Sequence, residues 1–193
     1  KVRWIPAFLT EGEIMRLKRR ARGSFRSSKV VTSKGRGGDQ QALRTSETAV
    51  LSGFRFDPIV PTVKAKAAHV LGCPLTHIEI LQVVRYGRGQ EYGPHLDGID
   101  FERFPRERSR GQRTHTILVY LEEPTPGSGT TEFPKLDLSV APERGAAIVF
   151  GNCLADGEID RRTVHAGAPV GGEREKWALN IWVRDRRIPF YAR

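Results

Sequence analysis

Sulfur is scarce in this chain: two cysteines, Cys73 and Cys153, and a single methionine among 193 residues. Two thiols cannot frame a disulfide scaffold, so the fold must rest on a buried core; both are read as reduced, which fits a reducing compartment. Long apolar runs are missing too, and no stretch approaches the roughly 20 residues that would span a bilayer. No basic-then-apolar leader is visible, and any targeting segment would lie before Lys1. The expected setting is therefore cytoplasmic, with no membrane partner. Repeats and linkers are likewise absent. The chain is read as one domain over 1–193, with a helical and strand support region at 1–75 and a strand-rich core at 76–193.

Acidic residues are outnumbered, 22 against 32 Lys and Arg, for a net charge of +10. That balance favours acidic partners, namely nucleic acid, an anionic peptide or a carboxylate cosubstrate. A solvated basic surface reads the same way.

Val2 to Ile5 is expected as a strand closed by Pro6. Thr10-Glu-Gly-Glu13 is a capping box, and Ile14, Leu17 and Ala21 follow at helical spacing to Gly23. Ser24 to Val31 reads as a strand, and residues 32–42, rich in Gly and Lys/Arg, as a loop able to act as a lid. Asp57-Pro58 opens a second helix that ends at Gly72. From His77 the texture becomes short β-rich segments: Ile78 to Tyr86, Thr114 to Glu122, Thr131 to Phe133, Leu138 to Val140, Gly145 to Phe150, Thr163 to Ala168 and Lys176 to Arg184. Two helices and then such a run predict an α+β chain, mainly β, whose jelly-roll barrel has the helices packed outside.

The stretch Leu81-Gln-Val-Val-Arg-Tyr-Gly-Arg-Gly-Gln-Glu-Tyr-Gly-Pro-His-Leu-Asp97 holds the first chemistry. In an extended chain residues two apart share a face, so His95 and Asp97 present an imidazole and a carboxylate together. These are two of the three ligands of the facial triad of non-haem Fe(II) oxygenases; a surface strand with a His–Asp hydrogen bond is the alternative. The candidate third ligand is His165, which follows a strand and precedes Ala-Gly-Ala-Pro. His69, His77 and His115 are read as structural or surface residues. An Arg-rich, nearly apolar-free insertion from Phe101 to Arg113 follows the His-x-Asp directly and is expected at the rim of whatever His95 faces.

In Lys176-Trp-Ala-Leu-Asn-Ile-Trp-Val-Arg184, alternation puts Trp177, Leu179, Ile181 and Val183 on a core face. Lys176, Ala178, Asn180, Trp182 and Arg184 share the other. That second face suits either a barrel lumen, with Lys176 available for a carboxylate, or a solvent-facing strand kept soluble by its charges.

Taken together, these segments resemble the prolyl 4-hydroxylases, members of the Fe(II)/2-oxoglutarate dioxygenases. The likeness runs from Arg44-Thr-Ser46 through the 81–97 stretch, Gly111-Gln-Arg-Thr-His-Thr-Ile-Leu-Val-Tyr-Leu121, Gly129-Thr-Thr-Glu-Phe-Pro134 and Arg144-Gly-Ala-Ala-Ile-Val-Phe150 to His165 and Lys176-Trp177. It implies a double-stranded β-helix, with His95, Asp97 and His165 holding Fe(II). Lys176 would pair with the distal carboxylate of 2-oxoglutarate, helped by Tyr86 and Thr116. Arg44, Tyr92 and Trp182 would be substrate-side residues. The implied reaction, of the procollagen-proline 4-dioxygenase type, couples C–H hydroxylation by O2 to decarboxylation of 2-oxoglutarate, with ascorbate as reductant.

The resemblance has departures. Arg184 stands where the prolyl hydroxylases often carry His, and the segment from His165 to Lys176 is a residue longer than usual. A carboxylate at Asp97 argues against halogenating relatives. A peptide or protein substrate, proline-rich or acidic, is the first expectation, with residues 32–42 and 99–112 closing over it. A hydroxylase of a free amino acid or other small molecule is second. Nucleic-acid demethylation is disfavoured by Lys, not Arg, at position 176 and by the lack of a basic stretch interleaved with aromatics. A non-catalytic jelly-roll binding module is the alternative from another class.

Overall fold

The computed structural model describes residues 1–28, 44–52 and 57–188. The expected lid at 32–42, and the end of the strand expected to reach Val31, lie outside them. Eleven strands, all paired antiparallel, are described: β1 (Val2–Ile5), β2 (Arg26–Ser27), β3 (Glu47–Leu51), β4 (Leu81–Tyr86), β5 (Tyr92–His95), β6 (Arg113–Glu122), β7 (Thr131–Phe133), β8 (Leu138–Val140), β9 (Ala147–Gly151), β10 (His165–Gly167) and β11 (Lys176–Arg184). They form a seven-stranded sheet, β1-β9-β6-β11-β4-β3-β2, and a four-stranded sheet, β5-β10-β7-β8. Tyr120, Phe133, Ile148 and Phe150 pack the two sheets together as the walls of the expected jelly roll.

Two helices cover the outer face of the large sheet. In α1 (Glu11–Ala21) the capping box forms: the Glu13 amide donates to Thr10 Oγ1 at 3.3 Å and the Thr10 amide to Glu13 Oε2 at 2.8 Å. In α2 (Ile59–Leu71) the Asp57 carboxylate accepts from the Ile59 amide at 3.0 Å, and Gly72 closes the helix in the left-handed conformation. Pro61 falls in the first turn, where its missing N–H is no loss. Ile14, Leu17, Ile59, Val63 and Ala67 then meet Leu81, Val83, Ile117, Val119, Leu179 and Ile181 in the main core.

The region 1–75 does more than support the barrel from outside. β1 pairs with β9 at one flank of the large sheet, and β3 pairs with β4 towards the other. β3 is an element the sequence reading left out, although Ala49 and Leu51 alternate with Thr48 and Val50 in the manner of a strand. Central β11 shows the expected alternation, and its charged ends are not solvent-facing: Lys176 is 3% exposed and Arg184 1%.

Leu179→Ala empties a fully buried position in the middle of β11 and should cost about 2–5 kcal/mol. Thr10→Ala, which removes only a cap, should cost about 1 kcal/mol. Denaturant unfolding of both variants tests this order; a cap loss equal to the core loss would mean that Leu179 is not central to the core.

Candidate active site

The site begins with a register. β5 and β10 pair antiparallel with His165 opposite His95, which sets the two imidazoles side by side with ring centroids 4.2 Å apart. Each ring is aimed in the same way. His95 Nδ1 lies 2.9 Å from the Gly93 carbonyl oxygen, and His165 Nδ1 lies 2.9 Å from that of Thr163. A carbonyl only accepts, so Nδ1 carries the proton in both rings and Nε2 presents its lone pair. Asp97, two residues past His95, places Oδ1 3.8 Å from His95 Nε2 and Oδ2 3.7 Å from His165 Nε2. The three ligand atoms all lie within 4.8 Å of one another.

Electrostatics suits this set to a cation. Burial, and then the neighbouring His165, depress the His95 pKa against the pull of Asp97, so the ring stays neutral. Burial would raise the Asp97 carboxyl, but the two imidazoles, Arg113 and the Thr116 hydroxyl bring it below the usual carboxylate range. Thr116 Oγ1 donates to Asp97 Oδ2 at 2.7 Å and is itself held by Asn152 Nδ2 at 3.0 Å. Two imidazole lone pairs and an ionised carboxylate facing one point form the donor set of a facial triad, and they fit Fe(II). Tyr92 stacks on His95 at 3.6 Å, while Phe133 and Phe150 lie 5.5 and 4.9 Å from His165.

The large sheet supplies the opposite wall of the cavity. Tyr86, Thr116, Lys176, Asn180 and Trp182 line it together with the triad. Lys176 pairs in register with Tyr86, and its Nζ lies 5.8 Å from the ring centroids of both Tyr86 and Tyr120. Among the described residues no acceptor hydrogen-bonds this ammonium. Burial pushes its pKa down to about 8, which Glu132 only partly offsets. A buried, unpaired cation is costly unless an anion joins it, so it fits the distal carboxylate of a 2-oxo diacid. Burial raises the Tyr86 phenol against the pull of Arg44 and Ser46 at its hydroxyl. Arg44 is outside the cavity lining: it sits behind Tyr92, 4.7 Å from the ring centroid, and bonds Ser46 Oγ at 2.9 Å.

Sequence profiles decide the family. The pattern described as "2OG-Fe(II) oxygenase superfamily" matches residues 81–184, which hold the triad and Lys176. The chain belongs to this superfamily. Prolyl 4-hydroxylase subunit alpha-1 of Rattus norvegicus is 37% identical over 149 residues, 76% of this chain and 27% of that subunit. The chain thus spans about a quarter of the length of that relative. "Probable prolyl 4-hydroxylase 6" of Arabidopsis thaliana is 32% identical over 198 residues, covering 93% of this chain and 67% of its own. Among solved structures, the viral collagen prolyl hydroxylase of Paramecium Bursaria Chlorella virus-1, in its 2OG complex, superposes with a TM-score of 0.73 at 27% identity over 95% of both chains.

Several residues of this oxygenase site escaped the sequence reading. Arg113 stacks its guanidinium on Trp182, 3.9 Å from the ring centroid, and forms a two-pronged ion pair with buried Glu79 at 2.7 and 3.0 Å. A lone acid between Ile78 and Ile80 was the available signal for Glu79. Nothing local marks Arg113 or Asn152, whose roles depend on strand register.

Asp97→Ala should abolish stoichiometric Fe(II) or Mn(II) binding. Thr116→Val, which keeps the shape but loses the donor, should weaken it about 10–100-fold. Metal titration with elemental analysis checks both; unchanged affinity in Thr116→Val would free that hydroxyl for another role.

Proposed function

We propose that the chain is an Fe(II)- and 2-oxoglutarate-dependent hydroxylase acting on proline in a peptide or protein. One observation carries the cosubstrate assignment: an ammonium, Lys176, buried in the cavity that holds the triad with no hydrogen-bond partner among the described residues. When bound, iron with 2-oxoglutarate and O2 supplies the oxidising equivalents for C–H hydroxylation, with succinate and carbon dioxide as coproducts, and ascorbate keeps the metal ferrous. The chain's own residues do the rest. His95, Asp97 and His165 hold the metal, and Thr116 keeps the Asp97 carboxylate turned towards it. Lys176 orients the diacid so that its 2-oxo end faces the metal. Val84, Leu118, Phe150 and Ala178 exclude water from the space between.

Proline as the substrate is supported by the three relatives, all named as prolyl hydroxylases. The indole of Trp182, backed by Arg113, and the ring of Tyr92, held between His95 and Arg44, line the cavity and suit apolar contact with a pyrrolidine ring. The net charge of +10 favours an acidic peptide over a basic one. Tyr92 and Trp182 then contact the substrate, Arg113 braces Trp182, and Arg44 braces Tyr92.

Proline-rich peptides incubated with the protein, Fe(II), ascorbate and 2-oxoglutarate should gain one oxygen on proline by mass spectrometry, and His95→Ala should stop it. Oxygen gained only by free amino acids would move the assignment to the small-molecule class.

Lys176 gives a pH test. Its pKa in the free site is about 8 and rises once a carboxylate joins it. Affinity for 2-oxoglutarate should therefore be flat below about pH 8 and fall by up to about tenfold per unit above it, while Lys176→Met should bind weakly and without this slope. Titration of the Mn(II)-loaded protein reads this out. Full wild-type affinity at about pH 9.5 would dissociate Lys176 from the cosubstrate.

A further inference from the structure

Arg184 ends β11 on the face that carries Lys176 and Trp182, yet it does not line the cavity. It is among the largest fully buried side chains, 1% exposed, and three different groups meet its guanidinium. Nε donates to Glu79 Oε1 at 2.5 Å, Nη1 to the Gly111 carbonyl at 2.6 Å and Nη2 to Glu107 Oε2 at 2.8 Å. Glu107 and Gly111 both belong to the excursion that leaves the metal site directly after Asp97. Its base is closed separately: Gln112 Nε2 donates to the Ile99 carbonyl at 2.8 Å, and the Ile99 amide donates back to Gln112 Oε1 at 2.6 Å. Glu79 is shared, because its Oε1 also accepts from Arg113 Nε at 2.7 Å. Arg113 in turn lies flat on Trp182, a wall of the cavity.

We infer that Arg184 is a positioning residue for substrate. It ties the 99–112 excursion down as a fixed rim and, through the shared Glu79, holds Arg113 on Trp182. Only a guanidinium can do this, since the acceptors lie in three directions around one planar fork, and an ammonium on a flexible stem cannot reach all three. Losing the fork leaves Glu107 with Arg110 and Glu79 with Arg113 alone, so the rim and the aromatic wall come loose together while the metal ligands keep their own supports. The inference rests on the hydroxylase reading above for the identity of the substrate, but not for the tether.

The test compares wild type with Arg184→Lys and with Glu107→Ala, which removes the Glu107 tie together with its Arg110 pair, keeps the Gly111 tie and leaves Glu79 paired. Amide hydrogen exchange should speed up about tenfold within residues 99–112 in Arg184→Lys and less in Glu107→Ala, and stay unchanged in β6 and β11 in both. The KM for a proline-rich peptide should rise about tenfold in Arg184→Lys and less in Glu107→Ala, with more succinate formed per hydroxyproline, while the 2-oxoglutarate KM and Mn(II) stoichiometry hold. Three results overturn the inference: wild-type exchange in 99–112, loosening that spreads into β6 and β11 with loss of metal, or an unchanged peptide KM in a loosened variant. A wild-type enzyme that hydroxylates no peptide would sink the proposed function instead, and the exchange data would still decide the tether.

Discussion

The structure turns on the antiparallel register of β5 and β10, which sets His165 opposite His95. A strand pair shifted by one residue would turn one imidazole out of the cavity, because side chains alternate faces along a strand. Each histidine also uses the carbonyl two residues upstream, Gly93 in one case and Thr163 in the other, to lock its Nδ1 proton. Two strands thus solve one problem in the same local way. Register and tautomer together produce a point in space surrounded by lone pairs and a carboxylate; burial keeps a proton off His95, and the imidazoles, Arg113 and the Thr116 hydroxyl keep one off Asp97 against its burial.

The inner face of β11 makes a second argument. It carries two buried cations, and they are treated in opposite ways. Arg184 is surrounded by two carboxylates and a carbonyl, while Lys176 has no hydrogen bond among the described residues. A buried charge left unpaired costs several kcal/mol, and this contrast between the two cations is what supports the proposed placing of a carboxylate at Lys176. The first cation is tied to the rim through Gly111 and Glu107. Thr116 shows the same economy: the hydroxyl assigned by resemblance to the cosubstrate is committed here to Asp97, where it turns the carboxylate.

Much of this was legible in the sequence wherever information is local. The capping box of α1, the alternation of β11 and the His-x-Asp spacing are set by residues within a few positions of one another, and all three appear as expected. Tertiary pairing decided the rest. β3 has an ordinary alternating pattern, but its five residues were hidden between two segments with no strand signal of their own. Arg113 comes to back Trp182, a wall of the site, only because β6 pairs with β11 so that Arg113 faces Arg184 across a bulge and Thr116 faces Trp182. The 99–112 excursion reads from composition as a free polar loop. Its anchor, Arg184, comes from 73 residues beyond Gly111, which no local pattern can announce.

The helices, remote from the chemistry, are part of the same constraint. Along β11 each cavity residue sits between two core residues: Ala178 between Trp177 and Leu179, Asn180 between Leu179 and Ile181, Trp182 between Ile181 and Val183. The same holds for Thr116 beside Ile117 in β6 and for Val84 beside Val83 in β4. Burying Leu179, Ile181 and Ile117 under α1 and α2 therefore forces their neighbours to face the metal, since a residue cannot leave one face without its neighbour leaving the other. The apolar core supplies far more free energy than any polar contact in the cavity. Lys176 can stay buried with no hydrogen bond among the described residues because the adjacent hydrophobic residues hold its strand in place, so α1 and α2 act on the oxygenase site through the pleat of the sheet they cover.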